Sequence, residues 1–312
     1  AAAMTFFDVR IPGLKMTVVA ADGQTVQPVS VDEFRIGVAE TYDVIVEPSS
    51  EQAYTLFCQA IDRSGYARGT LTPDPALIPT IPEMDDSPIL THTDMGMAHG
   101  GGASMAMGGC TPEHAAMGHC EMPKKMVQEF ATGKAGYGTA NSPSFDLIKK
   151  GPHIDMLAEG ARYRLDDPGV GLRDNGRRVL TYADLFNLNK TPDPREPERE
   201  IELHLTGNMS RYMWSINGVK YADAEPLLMK YGERLRITLV NNTMMNHPMH
   251  LHGVWSDLET GEGDYIPRKH TVIAQPGTKT SYLVTADAVG KWAYHCHLLY
   301  HMPSMFREVH IS

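Results

Sequence analysis

Two stretches near the C-terminal end of the chain carry residue types that bind transition metals. They read HPMHLHG from residue 247 and HCHLLYHMPSM from residue 295. Successive side chains of a β-strand point to opposite faces. We therefore expect Cys296 to face one way and its neighbours His295 and His297 to face the other. A single strand would then serve two metal sites.

The donors available on each face predict copper. A thiolate, two imidazoles and a weak axial thioether describe a blue-copper electron-transfer centre, and the predicted ligands are His247, Cys296, His301 and, as the axial residue, Met305. The other face offers four imidazoles suited to a copper cluster that binds oxygen, namely His250, His252, His295 and His297. A zinc site is the alternative, but zinc does not need this many ligands on two faces of one strand.

Other potential ligands lie outside these motifs. Five histidines lack ligand spacing and are interpreted as solvated or hydrogen-bonded residues: His92, His153, His204, His270 and His310. An acidic stretch follows the first motif and either presents carboxylates to a cation such as Cu(I) or forms a solvated turn, which is the favoured interpretation. It comprises Asp257, Glu259, Glu262 and Asp264.

The segment from Met84 to Met126 holds eight methionines, four histidines and two cysteines. Thioether and thiolate ligands select Cu(I), so this segment is a candidate Cu(I) site, and a low-complexity linker is the alternative. The candidate ligands are Met95, Met97, His99, Met105, Met107, Cys110, His114, Met117, His119, Cys120 and Met122. Cys110 and Cys120 could form a disulfide, join a Cu(I) site or be free.

Short strands separated by turn signals surround this segment on both sides. The first group contains FFDVRI, KMTVVAA, DEFRIGVA, YDVIVEP and YTLFCQA, and the second contains EIELHLTG, ERLRITLVNN, TKTSYLVTA, KWAYHCHL and FREVHIS. One short helix is predicted over LTYADLFNL, residues 180–188. We expect an all-β protein with a partial domain at 1–71, a largely flexible Met/His/Gly-rich linker at 72–151 and a C-terminal domain at 152–312. Because the first strand follows no turn or cap, we expect truncation at the N-terminus.

The two groups of strands resemble each other internally. YDVIVEPSSEQAYTLFCQ and YLVTADAVGKWAYHCH share a strand, a short turn and an aromatic strand with a cysteine. Cys58 then corresponds to Cys296, while Phe57 and Gln59 replace the flanking histidines. The first domain is therefore predicted to be free of copper. Two similar β-domains of this length indicate sandwiches of the Greek-key type.

Composition limits the possible partners. A net charge of −10 argues against a nucleic-acid partner, and no apolar run approaches the roughly 20 residues of a membrane-spanning helix. The opening AAAMTFFDVR lacks the features of a secretory signal. Four cysteines are too few for a disulfide-dense secreted scaffold.

The copper motifs resemble H-x-x-H-x-H and H-C-H-x-x-x-H in the last domain of the multicopper oxidases, whose domains are cupredoxin-like. By this resemblance His247, Cys296 and His301 hold a type 1 copper, His250 a type 2 copper, and the remaining motif histidines, His252, His295 and His297, a type 3 pair. The family usually places its axial residue five positions after the last histidine. Here Met305 lies four positions after His301, and Phe306 occupies the usual position.

The family's trinuclear cluster also needs two further H-x-H motifs from an N-terminal domain, and this sequence has none beyond those named. An upstream domain or another polypeptide is therefore predicted to complete it.

Several further stretches look like the bacterial copper-resistance oxidases, the CopA-like branch. They are DVRIPGLKMTVVAADGQ, ETYDVIVEP, DRSGYARGTL, GLRDNGRRVLTYADL and HCHLLYHM. The resemblance implies a periplasmic oxidase that takes electrons from Cu(I) or a phenol and reduces dioxygen to water. A copper-sequestering protein without turnover and an inactive fragment are the alternatives.

Overall fold

A computed structural model describes residues 3–49, 51–97, 143–261 and 263–312, which form strands, turns and irregular segments. Those residues contain no α-helix and three single-turn 3-10 helices, Phe145–Leu147, Tyr182–Asp184 and Tyr221–Asp223. The predicted all-β fold is confirmed.

The first seven strands form a two-sheet sandwich. They are β1 (Phe7–Arg10), β2 (Met16–Ala21), β3 (Gln24–Val31), β4 (Glu33–Ile36), β5 (Tyr42–Ile45), β6 (Tyr54–Ala60) and β7 (Tyr66–Leu71). One sheet has the order β4-β1-β6-β7 and the other β3-β2-β5. Apolar side chains from both sheets, such as Val9, Val18 and Phe34, share one buried core. Burial alternates along β2, as expected of a strand with one face in the core.

The later strands form a second, larger sandwich. They are β8 (Arg162–Tyr163), β9 (Arg199–Asn208), β10 (Met213–Ile216), β11 (Leu227–Met229), β12 (Arg234–Asn241), β13 (His247–Leu251), β14 (Ser256–Leu258), β15 (Arg268–Lys269), β16 (Thr271–Ala274), β17 (Thr278–Thr285), β18 (Gly290–Cys296) and β19 (Phe306–Ile311). One sheet runs β10-β9-β12-β17-β14-β15, with β8 also on β17, and the other runs β11-β19-β18-β13-β16. A second core lies between them.

The helix predicted over residues 180–188 is wrong, because only Tyr182–Asp184 form a helical turn. The flanking backbone is extended and pairs with the first sandwich: Val179 bridges Glu33, and Asn187 bridges Val26. Leu180 and Leu185 are buried in the first core. The apolar spacing of residues 180–188, which suggested a helix, therefore reflects two short contacts with the first sandwich.

The internal repeat is visible in the strand order. The arrangement β4-β1-β6-β7 matches β16-β13-β18-β19, and Cys58 lies opposite Val9 as Cys296 lies opposite Met249. In this register Arg10 corresponds to His250. Its guanidinium lies 4.9 Å from the centre of the Phe57 ring.

An ion network fills the position in the first sandwich that corresponds to the four-histidine face. Arg10 is 2.9 Å from Asp85 and 3.4 Å from Glu33. Gln59 donates to Asp85 at 2.6 Å, and Arg177 pairs with Glu33 at 2.6 Å. Asp85 belongs to the predicted linker, so this part of the linker is fixed to the sandwich by charge.

The two sandwiches meet at a fully buried cluster of charges. The Lys269 ammonium lies 3.0 Å from Asp22 and 3.2 Å from Glu40, and all three side chains are completely shielded from solvent. Tyr182 donates to Glu40 and accepts the amide hydrogen of Ile273. Burial raises the pKa of Glu40, although Lys269 opposes this shift. Burial alone would lower the pKa of Lys269, but the two carboxylates raise it.

Candidate copper centre

Three predicted ligands converge in the second sandwich. His247 begins β13, Cys296 ends β18, and pairing of Met249 with Cys296 brings these strands together. The chain then turns after Leu298, which accepts the amide hydrogen of His301 at 3.0 Å and so brings the His301 ring back to the cysteine. All three side chains are fully buried. Among the described residues, only this group places three ligand atoms within 4.8 Å of one another.

The spacing of the three donor atoms fits one metal ion. Cys296 Sγ lies 3.6 Å from His247 Nδ1 and 3.8 Å from His301 Nδ1, and the two nitrogens are 3.3 Å apart. Metal–nitrogen and metal–sulfur bonds of about 2.0 and 2.3 Å, at trigonal angles, would separate such donors by about 3.5–3.7 Å. A thiolate with two imidazoles in this shape is typical of a blue-copper site.

The hydrogen bonds and burial of the triad (His247, Cys296 and His301) also suit a bound cation. His247 Nε2 lies 2.7 Å from Thr243 Oγ1, which leaves Nδ1 free to bind a metal. Burial lowers the pKa of His247 well below its usual value and that of His301 to about 4. Burial raises the pKa of the Cys296 thiol to about 12. A bound cation would favour the thiolate, because metal ligands must be deprotonated.

Met305 and Phe306 lie on different faces. Met305 is fully buried in the same core as Cys296, and its carbonyl accepts the Cys296 amide hydrogen at 3.0 Å. Phe306 pairs with His295 across β18 and β19, and the two rings stack with centroids 5.6 Å apart. Phe306, which occupies the family's usual axial position, therefore faces away from the triad.

The four remaining motif histidines meet on the other face of β13 and β18. His252 Nε2 and His295 Nε2 are 3.1 Å apart, and the His250 and His252 ring centres are 4.4 Å apart. The His297 ring centre is 5.3 Å from that of His295. His250 Nδ1 donates to the carbonyl oxygen of His270 at 2.7 Å, so its Nε2 is left for a metal.

Two sequence models of one family match this chain. Both are described as multicopper oxidase, and they match residues 1–76 and 194–308, which together make up more than half of the chain. Copper resistance protein A of Escherichia coli is 54% identical over 99% of this chain and 54% of its own length. The chain belongs to the multicopper oxidase family.

Two further relatives are similar to nearly the whole chain. The copper resistance protein A homolog of Pseudomonas syringae pv. tomato is 54% identical over 99% of this chain and 53% of its own length. Multicopper oxidase MmcO of Mycobacterium tuberculosis is 27% identical over 96% of this chain and 42% of its own length. This chain thus spans about half the length of the copper resistance proteins it matches.

Solved multicopper oxidases share the fold. Fet3p, a multicopper oxidase that functions in iron import, superposes with a TM-score of 0.62 at 14% identity, over 99% of this chain and 54% of its own. The laccase-like oxidase CueO from Ochrobactrum sp. gives 0.55 at 16% identity, over 100% of this chain and 54% of its own. These similarities show the cupredoxin-like sandwich fold of the family.

The candidate Cu(I) ligands lie partly inside and partly outside the described residues. Met95 is half-buried and Met97 is exposed, whereas His99, Met105, Met107, Cys110, His114, Met117, His119, Cys120 and Met122 lie outside the described residues. In the described part of the chain, no helix is long and apolar enough to cross a membrane.

Carboxylates of the acidic stretch face arginines instead of a cation-binding surface. Asp257 is buried and pairs with Arg234 at 2.7 Å, and Glu259 is buried and pairs with Arg236 at 2.8 Å. Both the cation-binding interpretation and the solvated turn are wrong for these two residues. Asp264 is exposed and pairs with Lys190, and Glu262 lies outside the described residues. Asp257 in β14 and Glu259 just after it both meet arginines of β12, which the sequence alone did not reveal.

Sequence reasoning missed residues that surround the triad. Trp214 stacks on the His301 ring with centroids 3.9 Å apart, and Thr243 holds His247. Neither lies in a metal motif. The sequence offered one signal for Thr243: it lies four residues before His247, close enough along the chain to contact that ligand. Trp214 lies more than thirty residues from His247, and only sheet pairing brings it close.

Acid is expected to destabilise the copper-free chain. His301 and His250 have pKa values lowered to about 4, chiefly by burial, against about 6.5 in an unfolded chain. Between pH 6.5 and pH 4 the unfolded state binds more protons than the folded state. The free energy of unfolding therefore falls as the pH falls, by on the order of 3 kcal/mol for a fully buried group. Urea unfolding of the copper-free chain at pH 7.0, 6.0 and 5.0 measures this loss.

The control is the His301→Gln variant, which has one fewer buried imidazole and is expected to lose less stability between pH 7.0 and 5.0. Equal losses in both chains would contradict the explanation.

Proposed function

We propose that this chain supplies the type 1 copper centre and half of a trinuclear copper cluster to a periplasmic oxidase of copper resistance. The observation that carries the proposal is the buried triad of His247, Cys296 and His301, whose donor atoms are spaced for one ion. Similarity to copper resistance protein A over nearly the whole chain supports the role in copper tolerance.

Bound copper would supply the redox chemistry, taking single electrons from Cu(I) or a phenol and reducing dioxygen to water. The protein residues would hold the copper and orient its ligands. Thr243 fixes the ring of His247 through Nε2, as partners of this kind commonly do for metal-binding imidazoles. Met305, whose side chain is buried in the same core as Cys296, is the residue proposed to complete the ligand set of this copper.

On the opposite face, we assign His250 to a type 2 copper and His252, His295 and His297 to a type 3 pair. The carbonyl of His270 fixes the tautomer of His250. Cys296 lies between His295 and His297, so the strand itself provides a short covalent route between the two sites. No three of these four histidines bring their donor atoms within 4.8 Å of one another in the described structure. This is expected if they bind different ions.

Completing the cluster requires histidines from outside this chain. Its only H-x-H motifs are 250–252 and 295–297. We propose that a further domain with two such motifs, on the same or another polypeptide, completes the site.

Oxygen uptake with Cu(I) tests the proposal. The chain alone, loaded with copper, is expected to show the type 1 absorption but no uptake above the rate without protein. The same chain joined to an N-terminal domain with two H-x-H motifs is expected to consume oxygen. Uptake by the chain alone would contradict the assignment of an incomplete cluster.

The alternative, copper sequestration without turnover, predicts a different outcome. It requires Cu(I) binding by the Met-rich segment and no oxygen uptake by either form. Cu(I) titration of the chain lacking residues 98–142 separates that binding from the type 1 site.

A further inference from the structure

The triad is buried, and two aromatic rings lie against its histidines. His247 and His301 are both completely buried, so a reductant cannot touch either imidazole edge. The indole of Trp214 contacts both rings: it stacks on His301 at 3.9 Å and 21°, and meets His247 edge-on at 5.6 Å and 67°. Trp214 is itself only 3% exposed.

Tyr212 continues this set of rings to the surface. Its ring meets Trp214 edge-on at 5.6 Å and His301 at 6.0 Å between centroids, and 48% of the residue is exposed. The Tyr212 backbone has φ of +52°, a region that bulky residues rarely adopt. Such an outlier persists where the surrounding structure imposes it, and it is a reason to look for function.

Trp214 is positioned by close packing instead of by a hydrogen bond. It lies opposite Gly207 in the β9–β10 pair, where a Cβ atom on residue 207 would be 2.5 Å from the indole. Its Nε1 hydrogen is buried and has no partner among the described residues. Leaving a buried donor unpaired costs folding stability, so stability alone does not explain this placement.

We propose that Tyr212 and Trp214 form the path by which electrons enter the type 1 site. The inference rests on the proposed function. An outer donor, a one-electron reductant or a phenol, docks at the exposed face of Tyr212 and loses one electron, and a phenol also releases its proton to solvent. The electron passes through the Tyr212 and Trp214 rings to His301 and reduces the Cu(II) held by the triad to Cu(I). Both rings are unchanged at the end.

The unpartnered indole hydrogen suits this role. Because the described structure places no base at Nε1, an electron can leave and return to the ring without loss of a proton. Thr243 and Met305, which also contact the triad, have saturated side chains. Apart from each other, the two triad histidines make ring contacts only with Trp214 and Tyr212 among the described residues.

Anaerobic stopped-flow reduction of the copper-loaded chain tests the path. The reductant is hexaammineruthenium(II), a one-electron donor that exchanges no ligands, and bleaching of the type 1 band gives the rate. Trp214→Leu is expected to slow bleaching roughly tenfold, or about 1.4 kcal/mol of activation free energy. Tyr212→Leu is expected to slow it less, and Trp214→Phe is expected to recover part of the rate. Bleaching of Trp214→Leu at the wild-type rate would overturn the path.

Two readouts separate conduction from a structural role. The reduction potential and the position of the type 1 band are expected to stay the same in Tyr212→Leu and Trp214→Phe. In the parent chain, Cu(II) binding is expected to quench tryptophan fluorescence strongly, and Trp214→Phe is expected to lose most of that quenching. A change in potential large enough to account for the slower rate would overturn the proposal.

Tyr300→Leu is the matched control, since Tyr300 precedes His301 and is 65% exposed. Its rate is expected to match the parent. If it slowed bleaching as much as Tyr212→Leu, loss of a docking surface would explain both results and the path would be refuted. Failure of the parent chain to form any type 1 band would instead refute the proposed function.

Discussion

Replacing Cys296 by serine is expected to abolish the intense absorption at about 600 nm that a thiolate-bound Cu(II) centre of this type gives. The serine hydroxyl keeps the size of the side chain but offers no soft, easily oxidised donor. Cu(II) affinity at this site is expected to fall by more than about 100-fold, because loss of an outer-shell partner alone commonly costs about 10- to 100-fold. Copper titration followed by optical spectra and dialysis measures both quantities.

The other cysteines provide the controls. Cys58 occupies the matching position in the first sandwich and is half-buried, so Cys58→Ser is expected to leave the band unchanged. The double variant Cys110→Ser, Cys120→Ser tests the Met-rich segment in the same way. Persistence of the band in Cys296→Ser would refute the site assignment, and so would its disappearance in either control.

Replacing Lys269 by methionine is expected to lower the free energy of unfolding by about 3–5 kcal/mol, the usual cost of leaving buried charges without their partner. Asp22 and Glu40 would remain fully buried with no cation between them. The deficit is expected to be smaller at pH 5 than at pH 8, because burial raises the pKa of Glu40 and acid removes the charge of that carboxylate. Urea unfolding of the copper-free chain at both pH values measures the effect.

Two variants show whether charge or packing causes the loss. Lys190→Met breaks an exposed pair with Asp264 and is expected to cost less than about 1 kcal/mol. The triple variant Asp22→Asn, Glu40→Gln, Lys269→Met removes all three charges and is expected to recover much of the stability. A triple variant as unstable as Lys269→Met would show that packing, and not charge, dominates.

Strong strand patterns made most of the fold predictable. β6, β12 and β18 are long, apolar on at least one face and bounded by turn residues. The sequence did not reveal β3, because it contains Pro28 and four of its eight residues are exposed. The segment 180–188 was misread because its buried leucines serve a core built by residues far away in sequence.

The ligands were predictable because strand alternation alone assigns Cys296 to one face and its neighbouring histidines to the other. What could not be predicted is the surroundings of the site. Trp214 reaches the triad through pairing of β10 with β9 and packing between sheets, and Asp257 meets Arg234 from another strand. Such long-range contacts leave no periodic pattern in the sequence.

The ion network of the first sandwich bears on protein engineering. Grafting histidines onto Arg10, Phe57 and Gln59 would copy the ligand positions of the second sandwich. The graft would also remove Arg10, which pairs with the carboxylates of Glu33 and Asp85. A second copper centre could not be created by ligand substitution alone. A designer would first have to neutralise those carboxylates and find a new anchor for the segment that carries Asp85.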